Sequence, residues 1–292
     1  MHTILITGAT GQLGGTVIDF LTHNSAELKL KALARNPEDE KAKALTAKGV
    51  EVVYGDYDKP DSLKEAFKGV DKLYFVSASD IEKRVPQHHN VVNAAREAGV
   101  KHIVYTSFAR KNETESSPIY MVAEAHLKTE EWIKASAMTY TILKHNLYMD
   151  FVPFFIGENV FETGLYLPAG DGRAALLTRS DMARVGAAVL TGAGHENKEY
   201  NVSSDESVSY KDIAGYLSEI SGKEVSYTSP DPQEYHNTLK KAGVPEEMIG
   251  VSLGFALATA QGELSETSHI FEELTGKKPL RVKDFLKSVY GK

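Results

Sequence analysis

The chain has 292 residues, a formal net charge of −7 and no cysteine. That length is enough for one large domain or two moderate ones with a well-buried core. The negative charge argues against nucleic acid or an anionic membrane surface as the main partner, and the missing cysteine excludes disulfides, thiolate catalysis and cysteine-ligated metals.

The N-terminal sequence predicts no secretory signal, because the first predicted strand begins at residue 3. The most apolar run, residues 151–156, is too short to span a bilayer and follows Asp150 directly. We therefore expect a cytoplasmic protein.

The first 35 residues predict a strand, a glycine turn, a helix and a second strand. Residues 3–7 are apolar and β-branched, and Gly8, Gly11 and Gly14 follow them. In a dinucleotide-binding βαβ unit such glycines allow the tight turn, the approach of a pyrophosphate and close packing of helix on strand. The helix N-terminus then offers free N–H groups to the phosphates. The pattern favours dinucleotide binding over a glycine turn that binds nothing.

The residue after the second predicted strand, 28–34, indicates which dinucleotide is bound. NAD-specific sites usually carry Asp or Glu there to accept from the ribose 2′-OH. This chain has Arg35. A guanidinium can pair with a 2′-phosphate through two hydrogen bonds and can stack on adenine. We therefore favour NADP over NAD, with an ordinary solvated arginine as the alternative.

Strand and helix patterns alternate up to about residue 150. Strands are predicted at 51–54, 72–76, 102–106 and 140–143, and helices at 61–67, 91–98 and 123–135. This alternation predicts an α/β fold with a doubly wound parallel sheet of the Rossmann type. Ligands in such sheets bind outside the carboxyl ends of the strands, where we place the site.

The alternation stops after residue 150. The sequence there predicts a loop and short hairpin at 157–172, helices at 182–190 and 209–221, and strands at 199–203 and 225–228, followed by mostly helical segments. We divide the chain into an NAD(P)-binding Rossmann domain, residues 1–150, and a smaller C-terminal α+β substrate lobe, residues 151–292. The strand near 199–203 could return to the main sheet.

Several motifs together resemble the NmrA-like atypical short-chain dehydrogenases over essentially the whole chain. They are residues 8–15, Arg35, and residues 55–57, 98–103, 140–143, 170–172 and 194–198. The resemblance implies NADPH binding at the glycine turn and Arg35, with no flavin. Some members reduce quinones or dyes, whereas others bind the dinucleotide as a redox sensor and catalyse nothing known.

The catalytic Tyr-x-x-x-Lys pair of ordinary short-chain dehydrogenases is absent. Counting back from the strand at 140–143, its Lys position falls at His126 and its Tyr position at Val122. Reducing a ketone makes an alkoxide that needs an acid, whereas a quinone gives a delocalised phenolate and a cationic dye is simply neutralised. Such acceptors need proximity and orientation more than proton donation.

The absent pair leaves three functions open. The preferred one is an NADPH-dependent reductase of a quinone-like or dye-like acceptor. The second is a non-catalytic NADP sensor that regulates a partner protein. The third is an isoflavone-reductase-like enzyme, which should carry the lysine that His126 replaces.

Histidines need individual interpretation. His126 could act as an acid or orient the nicotinamide ribose, since imidazole titrates near neutral pH, or it could be structural. His145 stands where the resembled enzymes carry Asn, and Tyr148 is either pocket wall or core. His88 and His89 cannot share a metal from one helix face, so we interpret them as a solvated pair and predict no metal site.

The predicted catalytic residues are His126 and Tyr148. The expected partner is a small-molecule acceptor, without nucleic acid or membrane, and a homodimer or a regulatory protein partner stays open. The predicted NADP-binding residues are Thr7, Gly8, Thr10, Gly11, Gln12, Leu13, Arg35, Asp56, Tyr57, Val76, Ser77, Ala78, His126 and His145.

Overall fold

The computed structural model describes residues 2–24 and 28–291. Its strands are β1 (Thr3–Ile6), β2 (Lys29–Ala34), β3 (Glu51–Tyr54), β4 (Lys72–Phe75), β5 (His102–Phe108), β6 (Thr139–His145), β7 (Leu165–Tyr166), β8 (Arg173–Ala174), β9 (Lys198–Val202), β10 (Val208–Ser209) and β11 (Tyr227–Thr228).

The helices, besides a 3₁₀ turn at Met149–Phe151, are α1 (Gln12–Asn24), α2 (Glu40–Ala47), α3 (Pro60–Phe67), α4 (Arg84–Glu97), α5 (Tyr120–Ala135), α6 (Val152–Ile156), α7 (Val160–Thr163), α8 (Arg179–Thr191), α9 (Tyr210–Ser221), α10 (Pro232–Lys241), α11 (Glu246–Ala260), α12 (Ile270–Thr275) and α13 (Val282–Tyr290). None of these described helices is both long enough and apolar enough to cross a membrane.

The main sheet confirms the predicted doubly wound architecture. Its strand order is β3-β2-β1-β4-β5-β6-β9, and every pairing in it is parallel. The winding reverses between β1 and β4, which is where ligands bind in such sheets. All residues of β5 are buried, as expected for a central strand covered on both faces.

Apolar side chains of the sheet pack into a layer of helices on each face. One layer places Val17 and Leu21 of α1 beside Met182 of α8. The other places Phe67 of α3 and Ile133 of α5 in a common core with the opposite sheet face. Burying apolar surface stabilises the folded chain by about 25 cal/mol per Å². The two helix layers therefore hold the sheet in place, and with it the strand ends that form the site.

Three local predictions were incomplete or wrong. Helix α2 was not predicted; Asp39 caps it by accepting a hydrogen bond from the Lys41 N–H at 2.7 Å. Helix α4 begins at Arg84 rather than at residue 91. Residues 157–172 do not form a hairpin, because β7 pairs with β11 and β8 pairs with β10. The paired residues lie 34 to 62 positions apart in the sequence, so these pairings leave no local sequence signal.

The second half of the chain contributes to the sheet of the first half. Strand β9 pairs with β6, with Tyr200 opposite Leu143, so the strand expected near 199–203 is at the edge of the main sheet. The apolar side chains Val185 and Val17 belong to one core, which places α8 against α1. The division of the chain at residue 150 therefore stays a prediction rather than a visible boundary.

Candidate active site

A cleft of about 700 Å³ opens at the carboxyl ends of the main-sheet strands. Its volume falls within the range of small-molecule and cofactor sites. The loops after β1, β2, β3, β4, β5 and β6 line it, together with side chains from α4, α5, α8 and α11. All of the predicted site residues line this cleft except Thr7, so the structure brings them together, and their roles stay predictions.

The glycine turn forms a cradle of backbone at one end of the cleft. Gly8 has a φ of 59°, a left-handed conformation that favours glycine. A Cβ on Gly14 would lie 2.5 Å from the Gly8 carbonyl oxygen, so only glycine fits there. The N–H groups of Gln12 and Leu13 have no acceptor among the described residues, whereas that of Gly11 donates to the Gly8 carbonyl at 2.9 Å. Free donors at a helix N-terminus suit an anion.

Thr7 supports the cradle from below. It is fully buried, and its Oγ1 accepts from the Val76 N–H at 2.9 Å. The Tyr57 hydroxyl lies 2.5 Å from the same oxygen and donates to the Val76 carbonyl at 2.9 Å. These bonds connect the ends of β1, β3 and β4. The structure gives Thr7 a bracing position, and its predicted direct contact with a cofactor stays a prediction.

Arg35 is exposed at the end of β2 and lines the same side of the cleft. It forms no ion pair in the described part of the chain, so its guanidinium is free to bind an anion. Asp56, in the loop after β3, accepts a hydrogen bond from the Asp58 N–H at 3.0 Å and also lines the cleft.

His88 is fully buried, so its interpretation as half of a solvated pair was wrong; His89 is exposed. The earlier start of α4 explains the error, because it places residues 84, 88, 91 and 95 on the helix face that packs against the sheet. The Ala78 N–H donates to His88 Nε2 at 2.9 Å, and His88 Nδ1 lies 2.8 Å from Thr129 Oγ1. Burial lowers the pKa of His88 to about 3.

Those bonds assign the tautomer of His126, which lies deeper in the cleft. His88 accepts at Nε2, so its proton is on Nδ1, and that nitrogen cannot accept from the Tyr105 hydroxyl 3.4 Å away. The Tyr105 hydroxyl also lies 2.7 Å from His126 Nδ1, and we assign the hydroxyl as the donor in this hydrogen bond. His126 then carries its proton on Nε2. Burial lowers the pKa of His126 well below its ordinary value, and the charge of Arg84 adds to this effect, so the ring is a neutral hydrogen-bond donor.

His145 and Tyr148 lie at the same end of the cleft. Burial lowers the pKa of His145 to about 3, and its Nε2 is buried without a partner in the described part of the chain. Burial raises the pKa of Tyr148 to about 12. Neither group is a proton donor suited to neutral pH. A buried nitrogen without a partner on the wall of a cleft is available for a hydrogen bond to a ligand.

Both positions of the missing catalytic pair face the cleft. Val122 and His126 lie one turn apart on α5, and both line the cavity. Both positions reached by counting back from the strand are therefore at the cleft, and the assignment of the pair to them stays a prediction. The position that usually holds the acid has an aliphatic side chain, so no tyrosine acid stands there.

Sequence reasoning missed four residues of the acceptor end, the part of the cleft around His126 and Tyr148. The Arg179 guanidinium lies 4.6 Å from the Tyr148 ring centroid and 4.5 Å from that of Phe151. Phe255 of α11 and Arg84 of α4 complete the set. For Arg84 a signal existed: Pro86 fits only the first turn of a helix, and this places the start of α4 nearby.

Comparison with known proteins gives consistent results. The family model described as the NmrA-like family matches residues 1–286. Quinone oxidoreductase 2 of Escherichia coli (strain K12) is 36% identical over 274 residues, covering 94% of this chain and 93% of that protein.

Two solved structures are similar along their whole length. The NADPH-dependent quinone oxidoreductase of Escherichia coli, complexed with NADPH, has a TM-score of 0.89 and 34% identity, covering 99% of this chain and 100% of that chain. The Citrobacter sp. triphenylmethane reductase complexed with NADP(H) has a TM-score of 0.88 and 40% identity, covering 98% and 99%.

Proposed function

The chain belongs to the NmrA-like family, and we propose that it is an NADPH-dependent oxidoreductase that transfers hydride to a quinone-like or dye-like acceptor without a flavin. One observation carries the proposal: a single cleft joins a backbone cradle for phosphates to an aromatic end that lacks a proton-donating side chain. The relatives solved with NADPH and NADP(H) support the choice of cofactor.

The cradle end fits the dinucleotide. The free N–H groups of Gln12 and Leu13 would bind the pyrophosphate, and Gly11 leaves room for it, since the open side of that residue meets nothing but the Gly8 carbonyl. Arg35 would bind the 2′-phosphate through a charge-assisted contact that is worth roughly 1.5 to 3 kcal/mol. We therefore propose NADPH rather than NADH as the cofactor.

The acceptor end would hold and orient the reacting groups. A bound NADPH supplies a hydride at its nicotinamide ring. The Nε2–H of His126 would donate to a carbonyl or hydroxyl oxygen, and the unpaired Nε2 of His145 would contact a polar group of the ligand. The rings of Phe108, Phe151 and Phe255 would exclude water and provide flat apolar contacts for an aromatic acceptor.

The lack of an acid limits the chemistry. His126 and His145 are neutral, and the pKa of Tyr148 is about 12. Val122 occupies the remaining position from which a tyrosine would protonate a ketone. A quinone needs no such donor in the chemical step, because its ring delocalises the charge that it receives. We therefore propose quinones and dyes as acceptors and exclude simple ketones.

The proposal includes a small-molecule acceptor and a cytoplasmic location. The net charge of −7 and the absence of cysteine support both. A regulatory protein partner belongs only to the sensor alternative.

The test is oxidation of NADPH by purified protein with a panel of benzoquinones, naphthoquinones, triphenylmethane dyes and simple ketones. We expect colourless protein, enzyme-dependent turnover of at least one quinone or dye, and none of the ketones. Tight NADP binding without enzyme-dependent turnover of any acceptor would replace the reductase by the sensor.

A further inference from the structure

Arg84 is a buried cation without a carboxylate partner. Its residue is 8% exposed, and the Nε–H donates to the Ala78 carbonyl at 2.7 Å. It makes no ion pair within residues 2–24 and 28–291. Arg110, which is also buried, forms an ion pair with Glu130 at 3.0 Å. Buried charges in proteins are normally paired, so the guanidinium of Arg84 lacks its anion.

The charge of Arg84 lies at the acceptor end rather than at the cradle. After burial, its positive charge is the next cause that lowers the pKa of His88 and His126. Its charge also partly opposes the burial that raises the pKa of Tyr148. Geometry places it there too: Ala78, which accepts from Arg84, donates to His88, and the His88 ring centroid lies 6.2 Å from that of His126. The guanidinium therefore lies on the His126 side of the cleft that it lines.

No carboxylate of the described residues forms an ion pair with Arg84. His88 and His126 are neutral, because burial holds each pKa far below neutral pH. Asp80 lines the cleft, and its charge raises the pKa of Arg84, but this carboxylate is exposed to solvent and forms no ion pair with the guanidinium. Water screens an exposed carboxylate, so it offsets the charge of Arg84 only in part. The other arginine of the acceptor end, Arg179, is paired with Asp150 at 3.7 Å.

We propose that Arg84 determines acceptor specificity by binding the negative charge that forms on a quinone, and that it disfavours cationic dyes. This inference rests on the reductase function proposed above. One hydride, two electrons and a proton, passes to the quinone, which becomes the hydroquinone monoanion while NADPH becomes NADP⁺. The second proton comes from solvent. A preorganised cation at the developing phenolate stabilises the transition state more than the neutral quinone.

The same cation acts against an acceptor that arrives with a positive charge. A cationic triphenylmethane dye loses its charge during reduction, so Arg84 repels the substrate and gains no anion in return. A quinone that already carries a sulfonate should, in contrast, bind more tightly. The contribution of Arg84 to kcat/KM should therefore decrease in the order anionic quinone, neutral quinone, cationic dye.

Two substitutions separate the charge from the tether to Ala78. Arg84→Met removes both the charge and the Nε–H, whereas Arg84→Lys keeps the charge and loses the Nε–H. Arg96→Met, at an exposed position on the same helix, is the matched control. The acceptors are 1,4-benzoquinone, 1,2-naphthoquinone-4-sulfonate and the cationic dye malachite green, and thermal unfolding shows whether each variant is folded.

We expect Arg84→Met to lower kcat/KM by about 10- to 100-fold for both quinones, which is the range for a lost charge-assisted contact. The kcat/KM for malachite green should stay level or rise. Arg84→Lys should recover most of the quinone activity, and Arg96→Met should behave like the wild type. Equal loss with all three acceptors, or no loss with the quinones, would overturn the proposal.

A binding measurement keeps this inference separate from the reductase proposal. Calorimetric titration of the NADP⁺-saturated protein with 1,2-naphthoquinone-4-sulfonate should show affinity that falls at least about tenfold in Arg84→Met. If the wild type turns over no acceptor but shows this Arg84-dependent binding, the reductase fails and the anion site remains. Turnover without Arg84-dependent binding overturns the anion site and leaves the reductase.

The dinucleotide phosphates are the competing source of negative charge. If Arg84 paired with them, Arg84→Met would weaken NADPH binding in the absence of any acceptor. We expect the dissociation constant for NADPH to change by less than about threefold, since the cradle and Arg35 lie at the other end. A tenfold or larger loss of NADPH affinity would assign Arg84 to the cofactor and overturn the proposal.

Discussion

The two ends of the cleft differ in composition: backbone groups form the cradle, and side chains form the acceptor end. The cradle consists of backbone N–H groups and glycines of one turn, residues 8–14, so its shape depends on space that must stay free of side chains. The acceptor end uses side chains of α4, α5, α8 and α11, together with those that follow β6. A side chain added in the cradle should therefore abolish dinucleotide binding, whereas a substitution at the acceptor end should lower activity only in part.

The largest effect should follow Gly11→Val in the cradle. The new side chain would stand where the pyrophosphate must lie, while its Cβ would meet only the Gly8 carbonyl, at 3.2 Å. We expect NADPH binding to fall by at least about 100-fold, or about 2.7 kcal/mol, with little change in thermal stability. Titration calorimetry and thermal unfolding measure the two effects.

Substitutions at two other glycines are the controls for Gly11→Val. Gly14→Ala would press a Cβ against the backbone of Gly8 and Thr7, so it should lower the melting temperature itself. Gly215→Ala on α9 meets nothing within 4 Å, so it should leave NADPH binding unchanged, and the higher helix propensity of alanine should raise the melting temperature slightly rather than lower it. If Gly11→Val retained NADPH binding, the turn would be only a structural element.

Arg35→Ala should have a smaller and more selective effect at the cradle end. Loss of a charge-assisted contact to the 2′-phosphate should weaken NADPH by roughly 1.5 to 3 kcal/mol, or about 10- to 100-fold. NADH lacks that phosphate, so its affinity should hardly change. Equal loss for both cofactors, measured by the same titration, would exclude this role of Arg35.

The cradle could be read from the sequence because seven consecutive residues define it. Gly8, Gly11 and Gly14 fix the backbone, and Arg35 follows the next strand at a set distance. Alternation of elements likewise gave the parallel sheet, and counting back from β6 placed Val122 and His126 on the cleft.

The acceptor end could not be read in this way. Arg84, Arg179 and Phe255 come together only through the packing of distant helices, and no periodic pattern encodes their meeting. The protonation of His126 was equally hidden, because it depends on Tyr105 and on the buried His88, which the sequence made us interpret as solvated. The pairings of β7 and β8 were missed for the same reason.

At the acceptor end, His126→Ala should lower the rate of quinone reduction by well under the roughly 100-fold that marks the low end for general acids. We expect a neutral imidazole to orient the acceptor rather than to protonate it. The rate should show no titration that belongs to His126 between about pH 5.5 and 8, because its pKa lies well below that of ordinary histidine.

Tyr105→Phe tests the assigned tautomer of His126 with the ring still in place. Without the hydroxyl, Nδ1 has no donor, so the orientation of the Nε2–H is no longer fixed. We expect a severalfold lower kcat/KM for quinones and an unchanged NADPH affinity. A loss of 100-fold or more in His126→Ala, together with a bell-shaped pH profile, would restore the role of acid.

The smallest effect is on stability at acidic pH. Burial lowers the pKa of His88 and His145 to about 3 and that of His102 to about 4. Below pH 6.5 these histidines are therefore protonated in the unfolded chain but not in the folded chain, so the free energy of unfolding falls as the pH falls. Each of them should lower the free energy of unfolding by about 1 kcal/mol between pH 6.5 and 5.5.

Denaturant unfolding between pH 4 and 8 measures this dependence. His88→Asn should flatten the curve below pH 6.5, because it removes one of the buried groups. The exposed His89→Asn is its matched control and should leave the slope unchanged. Equal slopes in the wild type and His88→Asn would show that folding does not lower the pKa of His88.

The central claim is direct hydride transfer within one cleft, from a dinucleotide at the cradle to an acceptor beside His126 and Arg84. Single-turnover mixing of the flavin-free protein–NADPH complex with 1,4-benzoquinone tests it most directly. We predict enzyme-dependent oxidation of NADPH that is slower with one of the two stereoisomers of 4-deuterated NADPH than with the unlabelled cofactor. Oxidation no faster than in free solution, with NADPH fully bound, would contradict the account.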